Sequence, residues 1–153
     1  MTLGTIYSLD QSIRQIDQAE VAKIFHQLKP VTNETLIGEW DAHVFPSDSD
    51  HPRHGLAEAL LPSGKTFYSA DHAQKVAIRD GKRKRQEFWG DVFTAQAEFK
   101  GVVSTAIIYD DHPMIEYFRY VDDHTVAGAN WYKKLKDAGI YYFYMTRTGN
   151  LKD

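Results

Sequence analysis

The stretch from Val102 to Arg119 decides the fold, and it reads Val-Val-Ser-Thr-Ala-Ile-Ile-Tyr-Asp-Asp-His-Pro-Met-Ile-Glu-Tyr-Phe-Arg. Residues 102–109 are rich in β-branched side chains, which predicts a buried strand. The strand breaks at 110–113, where Asp-Asp-His-Pro predicts a turn. Ionisable groups gathered at the end of a strand are typical of a binding site. This stretch therefore predicts both a sheet and the neighbourhood of a site.

Composition favours one globular domain that spans residues 1–153. The sequence has no cysteine, which excludes disulfides and thiolate metal sites. The formal net charge of −3 predicts no general affinity for nucleic acid. No apolar stretch approaches the ~20 residues that a membrane span needs, and residues 1–9 lack the basic and apolar regions of a signal peptide. We therefore expect a cytoplasmic protein with no membrane span.

The remaining sequence predicts an N-terminal helical segment over residues 10–30, followed by strands. A capping box at Asp17 and Glu20 marks a helix start. The apolar positions after it repeat at the spacing of one helical face: Val21, Ile24, Phe25 and Leu28. Residues 35–148 contain strand-like segments separated by turn signals at regular spacing. This pattern indicates a mainly β fold, either an antiparallel barrel or a strongly bent sheet.

Aromatic residues make up 13% of the chain, and many fall in the strand-like segments. Tyr and Trp join a polar tip to an apolar body, which suits a dry cavity that orients a polar group, although aromatic residues also favour strands for packing alone. A closed barrel of about eight strands has room for one small ligand. The residues interpreted as binding that ligand are Trp40, Lys65, Phe88, Tyr109, Phe118, Asn130, Tyr142 and Tyr144.

The final predicted strand is apolar on both faces. Tyr142 and Tyr144 share one face, because side chains two residues apart point the same way, and Tyr141, Phe143 and Met145 share the other. Either face can line the barrel. A strand that is apolar on both sides indicates that its outer face is covered, by the helix or by a second subunit in a homodimer.

Three ionisable residues are candidates for catalysis. Asp110 can act as a general base, or it can cap the backbone amides of its turn. Arg119 can clamp a carboxylate or phosphate, or it can pair with Asp110 to hold the turn. His51 is an acid–base candidate because imidazole titrates near neutral pH. We recognise no metal motif, glycine-rich phosphate loop or nucleophile elbow, and we predict no metal and no cofactor.

Several short motifs follow one another along the chain: Pro30-Val31, Gly38-Glu39-Trp40, His51-Pro52, Gly64-Lys65-x-Phe67, Tyr109-Asp110-x-x-Pro113, Phe118-Arg119 and Thr125-Val126-x-Gly128. In this order they resemble the bacterial and fungal family named for its Gly-x-Trp-x-Gly motif, together with the domain of unknown function that accompanies it. The resemblance covers roughly residues 18–148, with Ala42 in place of the last glycine of the name motif. It implies a lipocalin-like, calycin-type antiparallel β-barrel, and by analogy of fold a cavity for a small hydrophobic molecule.

Two classes of function follow from these observations. The first is a lipocalin-like protein that binds a small hydrophobic or amphipathic molecule inside the barrel. The alternative is a cofactor-free acid–base enzyme of the isomerase, hydratase or decarboxylase type that acts in the same cavity. In that case Asp110 or His51 would transfer protons, and Arg119 or Lys65 would hold an anionic group. The orientation of Asp110 and Arg119 relative to the cavity separates these interpretations.

Overall fold

The computed structural model describes residues 17–46 and 50–150 of the chain. Within these residues nine strands run antiparallel to their neighbours: β1 (Gly38–His43), β2 (Ser63–Ser69), β3 (His72–Arg79), β4 (Lys82–Arg85), β5 (Asp91–Phe99), β6 (Val102–Tyr109), β7 (Met114–Asp122), β8 (Thr125–Tyr132) and β9 (Tyr141–Gly149). The prediction of a mainly β fold is confirmed.

Eight of the nine strands close into a barrel. Strands β5 to β9 pair in sequence, β9 pairs with β1, β1 with β2, and β2 with β3. The ring is completed where β3 meets β5, through the pairs Ala73–Val92 and Gln74–Asp91. Strand β4 stands outside the ring and pairs with the end of β3 instead. The predicted antiparallel, lipocalin-like barrel is therefore confirmed.

Three α-helices and one 3-10 helix accompany the barrel in the described part of the chain: α1 (Gln18–His26), α2 (Asn33–Leu36), α3 (Pro52–Leu60) and the 3-10 helix Lys133–Ala138. Asp17 caps α1 by accepting a hydrogen bond from the backbone N–H of Ala19 at 2.9 Å. Residues 10–16 of the predicted helical segment lie outside the described residues. None of the described helices is long and apolar enough to cross a membrane.

The side chains form one hydrophobic core inside the barrel and a second one between the barrel and α1. The inner core includes Trp40, Phe67, Phe118, Phe143 and Met145. The outer core joins three residues of α1 to the outer faces of β8 and β9: Val21, Ile24, Phe25, Ala127, Ala129, Tyr142 and Tyr144. Helix α1 thus covers the outer aromatic face of β9, as the alternation of that strand suggested.

This arrangement corrects the assignment of Tyr142 and Tyr144 to the cavity. Both side chains lie on the outer face of β9, whereas Tyr141, Phe143 and Met145 point into the barrel. One contact on the inner face is unusually close. Gly128 of β8 lies directly opposite Phe143, and a Cβ atom at residue 128 would overlap the Phe143 ring. Glycine therefore allows this ring to lie across β8.

Candidate ligand-binding site

A pocket occupies one end of the barrel, beneath α3. Its cavity volume is about 40 Å³, and the space free of protein atoms grows to about 410 Å³ when the open solvent at its mouth is included. Helix α3 supplies Arg53, Ala57 and Leu60 to its wall. The barrel strands supply two cations, a carboxylate, an amide and two aromatic rings: Lys65, Lys75, Glu116, Asn130, Tyr141 and Phe143. The opposite part of the barrel interior is filled by Trp40, Phe67, Phe118 and Met145.

Glu116 is the carboxylate of this pocket, and its side chain is only 3% exposed. Its Oε1 lies 3.1 Å from Lys65 Nζ and accepts a hydrogen bond from the Tyr109 hydroxyl at 3.1 Å. Its Oε2 accepts a hydrogen bond from Asn130 Nδ2 at 2.9 Å. Burial alone would raise the pKa of Glu116. The positive charges of Lys65, Lys75 and Arg53 and the Asn130 hydrogen bond outweigh burial and lower this pKa to about 2.

Two further cations face the same space. Lys75 lies directly opposite Lys65 in the β2–β3 pair, and its Nζ is 5.0 Å from the ring centroid of Trp89. The guanidinium carbon of Arg53 lies 4.9 Å from the centroid of the same ring. Arg53 is 4% exposed, and its Nε and Nη1 are buried without a hydrogen-bond partner among the described residues. Burial, and then the charge of Lys65, hold the pKa of Lys75 well below its usual value.

The charges of the pocket do not balance. In the part of the chain that the structure describes, Glu116 is the only carboxylate that forms an ion pair with Arg53, Lys65 or Lys75. Even with the Lys75 amine neutral, one positive charge remains without a counter-charge inside the pocket. A buried guanidinium with unused N–H groups is costly unless it finds an acceptor. The arrangement is therefore suited to receive an anionic group.

A chain of hydrogen bonds connects the pocket to the protein surface. His54 Nε2 lies 2.7 Å from Glu58 Oε1, and His54 Nδ1 lies 2.6 Å from the hydroxyl of Tyr141. Because an ionised carboxylate only accepts, Nε2 carries a proton, and neutral His54 then accepts the Tyr141 O–H at Nδ1. Burial, and then the charge of Glu58, raise the pKa of Tyr141. Tyr141 therefore keeps its phenolic proton, which it donates to His54 as long as His54 Nδ1 accepts.

The structure brings together only some of the residues that the sequence suggested for ligand binding. Lys65 and Asn130 line the pocket. Trp40, Tyr109 and Phe118 point into the barrel but belong to the packed core beside the pocket. Trp40 is fully buried, and its indole N–H donates to the carbonyl of Leu36 at 2.8 Å. The role of all five in binding a ligand stays a prediction.

Phe88 does not lie inside the barrel. It belongs to the turn between β4 and β5, and 72% of the residue is exposed. The strand-like composition around it suggested an inward position. The chain instead turns at residues 86–90, where the N–H groups of Trp89 and Gly90 both donate to the Gln86 carbonyl. Trp89, its neighbour, is the aromatic residue of this segment that reaches the barrel interior.

The three residues suggested for catalysis do not meet. Asp110 is exposed just beyond β6, and its backbone N–H donates to the carbonyl of Asp91 at 3.1 Å. Arg119 lies on the outer face of β7, buried against α1 with no ion pair to Asp110. Its guanidinium donates to the carbonyls of Phe25, Leu28 and Phe99 at 3.3, 3.1 and 3.0 Å, respectively.

His51 has a structural role at the start of α3. Its Nδ1 accepts the backbone N–H of Arg53 at 3.1 Å, and its Nε2 donates to the carbonyl of Gly139 at 2.9 Å. The imidazole thus caps α3 and attaches it to the loop before β9. Among residues 17–46 and 50–150, no group of three or more His, Asp or Glu side chains is arranged to hold a metal ion.

Sequence reasoning did not single out Arg53, Lys75, Glu116 or Tyr141. A local pattern does indicate the position of Glu116. It alternates with Met114 and Phe118 and is therefore an inward-pointing charge between two apolar side chains. Lys75 follows the same rule two residues after the buried Ala73. No local pattern indicates the role of Arg53, because its position depends on how α3 packs over the barrel mouth.

Comparison with known proteins agrees with this architecture. The family model described as GXWXG protein matches residues 23–82, and the model described as domain of unknown function DUF4334 matches residues 93–147. A crystal structure of a protein from Thermomonospora curvata is 30% identical, with a TM-score of 0.84, over 95% of this chain and 97% of that one. None of the curated proteins matches the chain. The chain belongs to the GXWXG family and carries the accompanying DUF4334 domain.

Proposed function

We propose that the barrel binds a small molecule with an apolar body and one anionic group, most simply a carboxylate. The observation that carries this proposal is the charge of the pocket: Arg53, Lys65 and Lys75 face Glu116 alone. Arg53 supports it most directly, because two of its buried nitrogens have no acceptor among the described residues. A guanidinium fork matches the geometry of a carboxylate and can bind both of its oxygens.

The remaining lining suits the rest of such a ligand. Ala57 and Leu60 of α3 and Phe143 of β9 present apolar surface next to the cationic group. The pocket is narrow, because its cavity volume is about 40 Å³, well below the range of pockets that enclose a drug-sized ligand. We therefore expect the carboxylate end of a short aliphatic acid to lie inside the pocket and its chain to extend towards the mouth. This agrees with a lipocalin-like binding protein and specifies the polar end of its ligand.

Short straight-chain carboxylates are expected to bind, and their alcohols are expected to bind more weakly. Pentanoate and 1-pentanol differ mainly in the group that meets Arg53, so their difference in affinity isolates the ionic contact. Replacing Arg53 by Met should weaken pentanoate binding by roughly tenfold or more, because hydrogen bonds to a charged group contribute about 1.5–3 kcal/mol each. Isothermal titration calorimetry and the rise in melting temperature measure both effects.

The matched control is Lys84→Met, which removes an exposed cation from β4 and should leave binding unchanged. Equal affinity for pentanoate and 1-pentanol would contradict the proposed recognition of an anion. Full retention of pentanoate affinity in Arg53→Met would show that the anionic group does not contact Arg53.

A cofactor-free acid–base enzyme is the second candidate, and the hydrogen-bonded chain of Glu58, His54 and Tyr141 favours it. This chain links a phenol of the pocket wall to an exposed carboxylate. When His54 takes up a second proton, its Nδ1–H donates to the Tyr141 oxygen, and the Tyr141 O–H is then free to polarise a ligand carbonyl. The chemistry that fits is proton exchange at the carbon next to that carbonyl.

We expect the protein to catalyse exchange of the α-hydrogens of 4-oxopentanoate with deuterium oxide, measured by proton NMR. Tyr141→Phe should slow this exchange by roughly 100-fold, the scale on which a positioned acid–base group contributes. Tyr68→Phe, a change at a tyrosine that is 45% exposed, is the control and should keep the full rate. Exchange no faster than in buffer would leave ligand binding as the function of the pocket.

A further inference from the structure

Lys75 is a buried amine that has neither a hydrogen-bond partner nor an ion-pair partner among the described residues. Only 7% of the residue is exposed. Its nearest recorded contact is the face of Trp89, 5.0 Å from Nζ to the ring centroid. Lys65, by contrast, is fixed at 3.1 Å from the Glu116 carboxylate. The two lysines of the pocket are therefore in different chemical situations.

The cause lies in the register of β2 and β3. Lys65 and Lys75 are directly opposite each other, and both side chains point into the barrel. Like charges at opposed positions repel each other, and Arg53 adds a third positive charge over the same Trp89 ring. Burial, followed by the Lys65 charge, lowers the pKa of Lys75. A desolvated lysine beside another cation is the arrangement that frees an amine lone pair near neutral pH.

We propose that Lys75 Nζ is a nucleophile that forms an imine with a small aldehyde or ketone bound in this pocket. The inference rests on the proposed function, because the carbonyl compound must occupy the same space. An anionic group held by Arg53 would place the carbonyl of a short oxo acid near Lys75. Small oxo acids are therefore the expected class of ligand.

The chemical step is balanced without an added reagent. The Nζ lone pair attacks the carbonyl carbon, and the carbonyl π electrons move to the oxygen. That oxygen takes a proton from the Lys65 ammonium. Lys75 Nζ, which is positively charged after the attack, gives one proton back to Lys65. The Lys65 ammonium then protonates the hydroxyl, which leaves as water while the nitrogen lone pair forms the C=N bond. The N–H proton of the resulting protonated imine can return to Lys65, so that amine and carbonyl become an imine and one water molecule.

Lys65 is not the nucleophile in this scheme. Its Nζ is fixed in an ion pair 3.1 Å from Glu116 Oε1, so this nitrogen is already engaged by a carboxylate. The same ion pair makes Lys65 the proton donor on the strand position opposite Lys75. Once formed, a protonated imine at Lys75 faces the ionised Glu116, which lies among the same group of lining residues.

The test is reductive trapping with 4-oxopentanoate and sodium cyanoborohydride at neutral pH. Cyanoborohydride reduces an imine to a stable secondary amine, which intact-mass spectrometry detects and peptide mapping locates. We expect a single adduct at Lys75. Lys75→Met should lose this adduct, and Lys75→Arg should lose it as well, because a guanidinium offers no free lone pair. The exposed-site control Lys84→Met should be labelled like the native protein.

Pentanoate binding to each protein is measured in parallel, because pentanoate carries the acid but no carbonyl. Pentanoate binding without an adduct at Lys75 would overturn the imine proposal and leave the proposed function intact. An adduct at Lys75 without pentanoate binding would support the imine and overturn recognition of the acid. Labelling spread over exposed lysines, or unchanged in both Lys75 variants, would overturn the imine proposal, and the absence of both signals would overturn both proposals.

Discussion

Changing Glu116 to Gln is expected to lower the free energy of unfolding at neutral pH by about 3 kcal/mol, the lower end of the cost of breaking a buried ion pair. Gln keeps the shape of the side chain and can still meet Tyr109 and Asn130. It removes the only carboxylate that pairs with the cations of the pocket in the described part of the chain. Denaturation by urea measures the difference from the native protein.

The effect should depend on pH in a defined direction. The folded protein holds the pKa of Glu116 at about 2, below its ordinary value of 4.5. A group whose pKa is lowered by folding stabilises the native state above its unfolded pKa, and this contribution is lost as pH falls through the folded pKa. The difference between native protein and Glu116→Gln should therefore be complete above pH 4.5 and shrink towards pH 2.

Two control variants separate the ion pair from general effects of charge. Glu87→Gln removes an exposed carboxylate and should change stability little. Adding Lys65→Met to Glu116→Gln should restore part of the lost stability, because the cation left without its partner is removed as well. If Glu116→Gln is as stable as Glu87→Gln at neutral pH, the carboxylate does not stabilise the pocket.

Changing Arg119 to Met is expected to cost about 3 kcal/mol and to loosen α1, because hydrogen bonds to a charged donor contribute about 1.5–3 kcal/mol each. The guanidinium donates to the carbonyls of Phe25 and Leu28 at the end of α1 and to that of Phe99. It also stacks over the Phe25 ring, with 4.9 Å between Cζ and the ring centroid. Met fills part of the volume but supplies no donor.

Hydrogen–deuterium exchange of the backbone amides shows where Arg119→Met loosens the structure. The amides of α1 should exchange faster in Arg119→Met, whereas pentanoate affinity should stay within experimental error of the native protein. The exposed change Lys84→Met should alter neither property. Loss of pentanoate binding with unchanged α1 exchange would instead support the earlier hypothesis that Arg119 clamps an anionic ligand.

Much of the fold could be predicted, because the information is local. Alternation along the strands and the capped, one-sided helix at Asp17 are properties of a few neighbouring residues. The face of β9 could not be predicted, because both faces are aromatic and only the position of α1 distinguishes them. Arg119 was placed near a ligand because it follows an apolar strand. Its acceptors are carbonyls from distant segments, which no local pattern shows.

The site was harder to predict than the fold for a related reason. Lys65 and Lys75 acquire their properties from being opposed in register, and register depends on how β2 and β3 are joined. Arg53 belongs to a helix that covers the barrel mouth, so its contact with Trp89 is a result of tertiary packing. Asp110 is suggested by its place at the end of a strand, and His51 by the titration range of imidazole. Both proved to lie at the ends of elements, where polar residues commonly meet backbone groups.

The contact between Gly128 and Phe143 fixes one part of the pocket wall. Phe143 lines the pocket, and Lys65 Nζ lies 5.3 Å from the centroid of its ring. The ring keeps this position because residue 128 contributes no side-chain volume beneath it. A methyl group there would overlap the ring and force it out of its place in the pocket wall. The space that this barrel offers to a ligand therefore depends partly on the absence of a Cβ atom at residue 128.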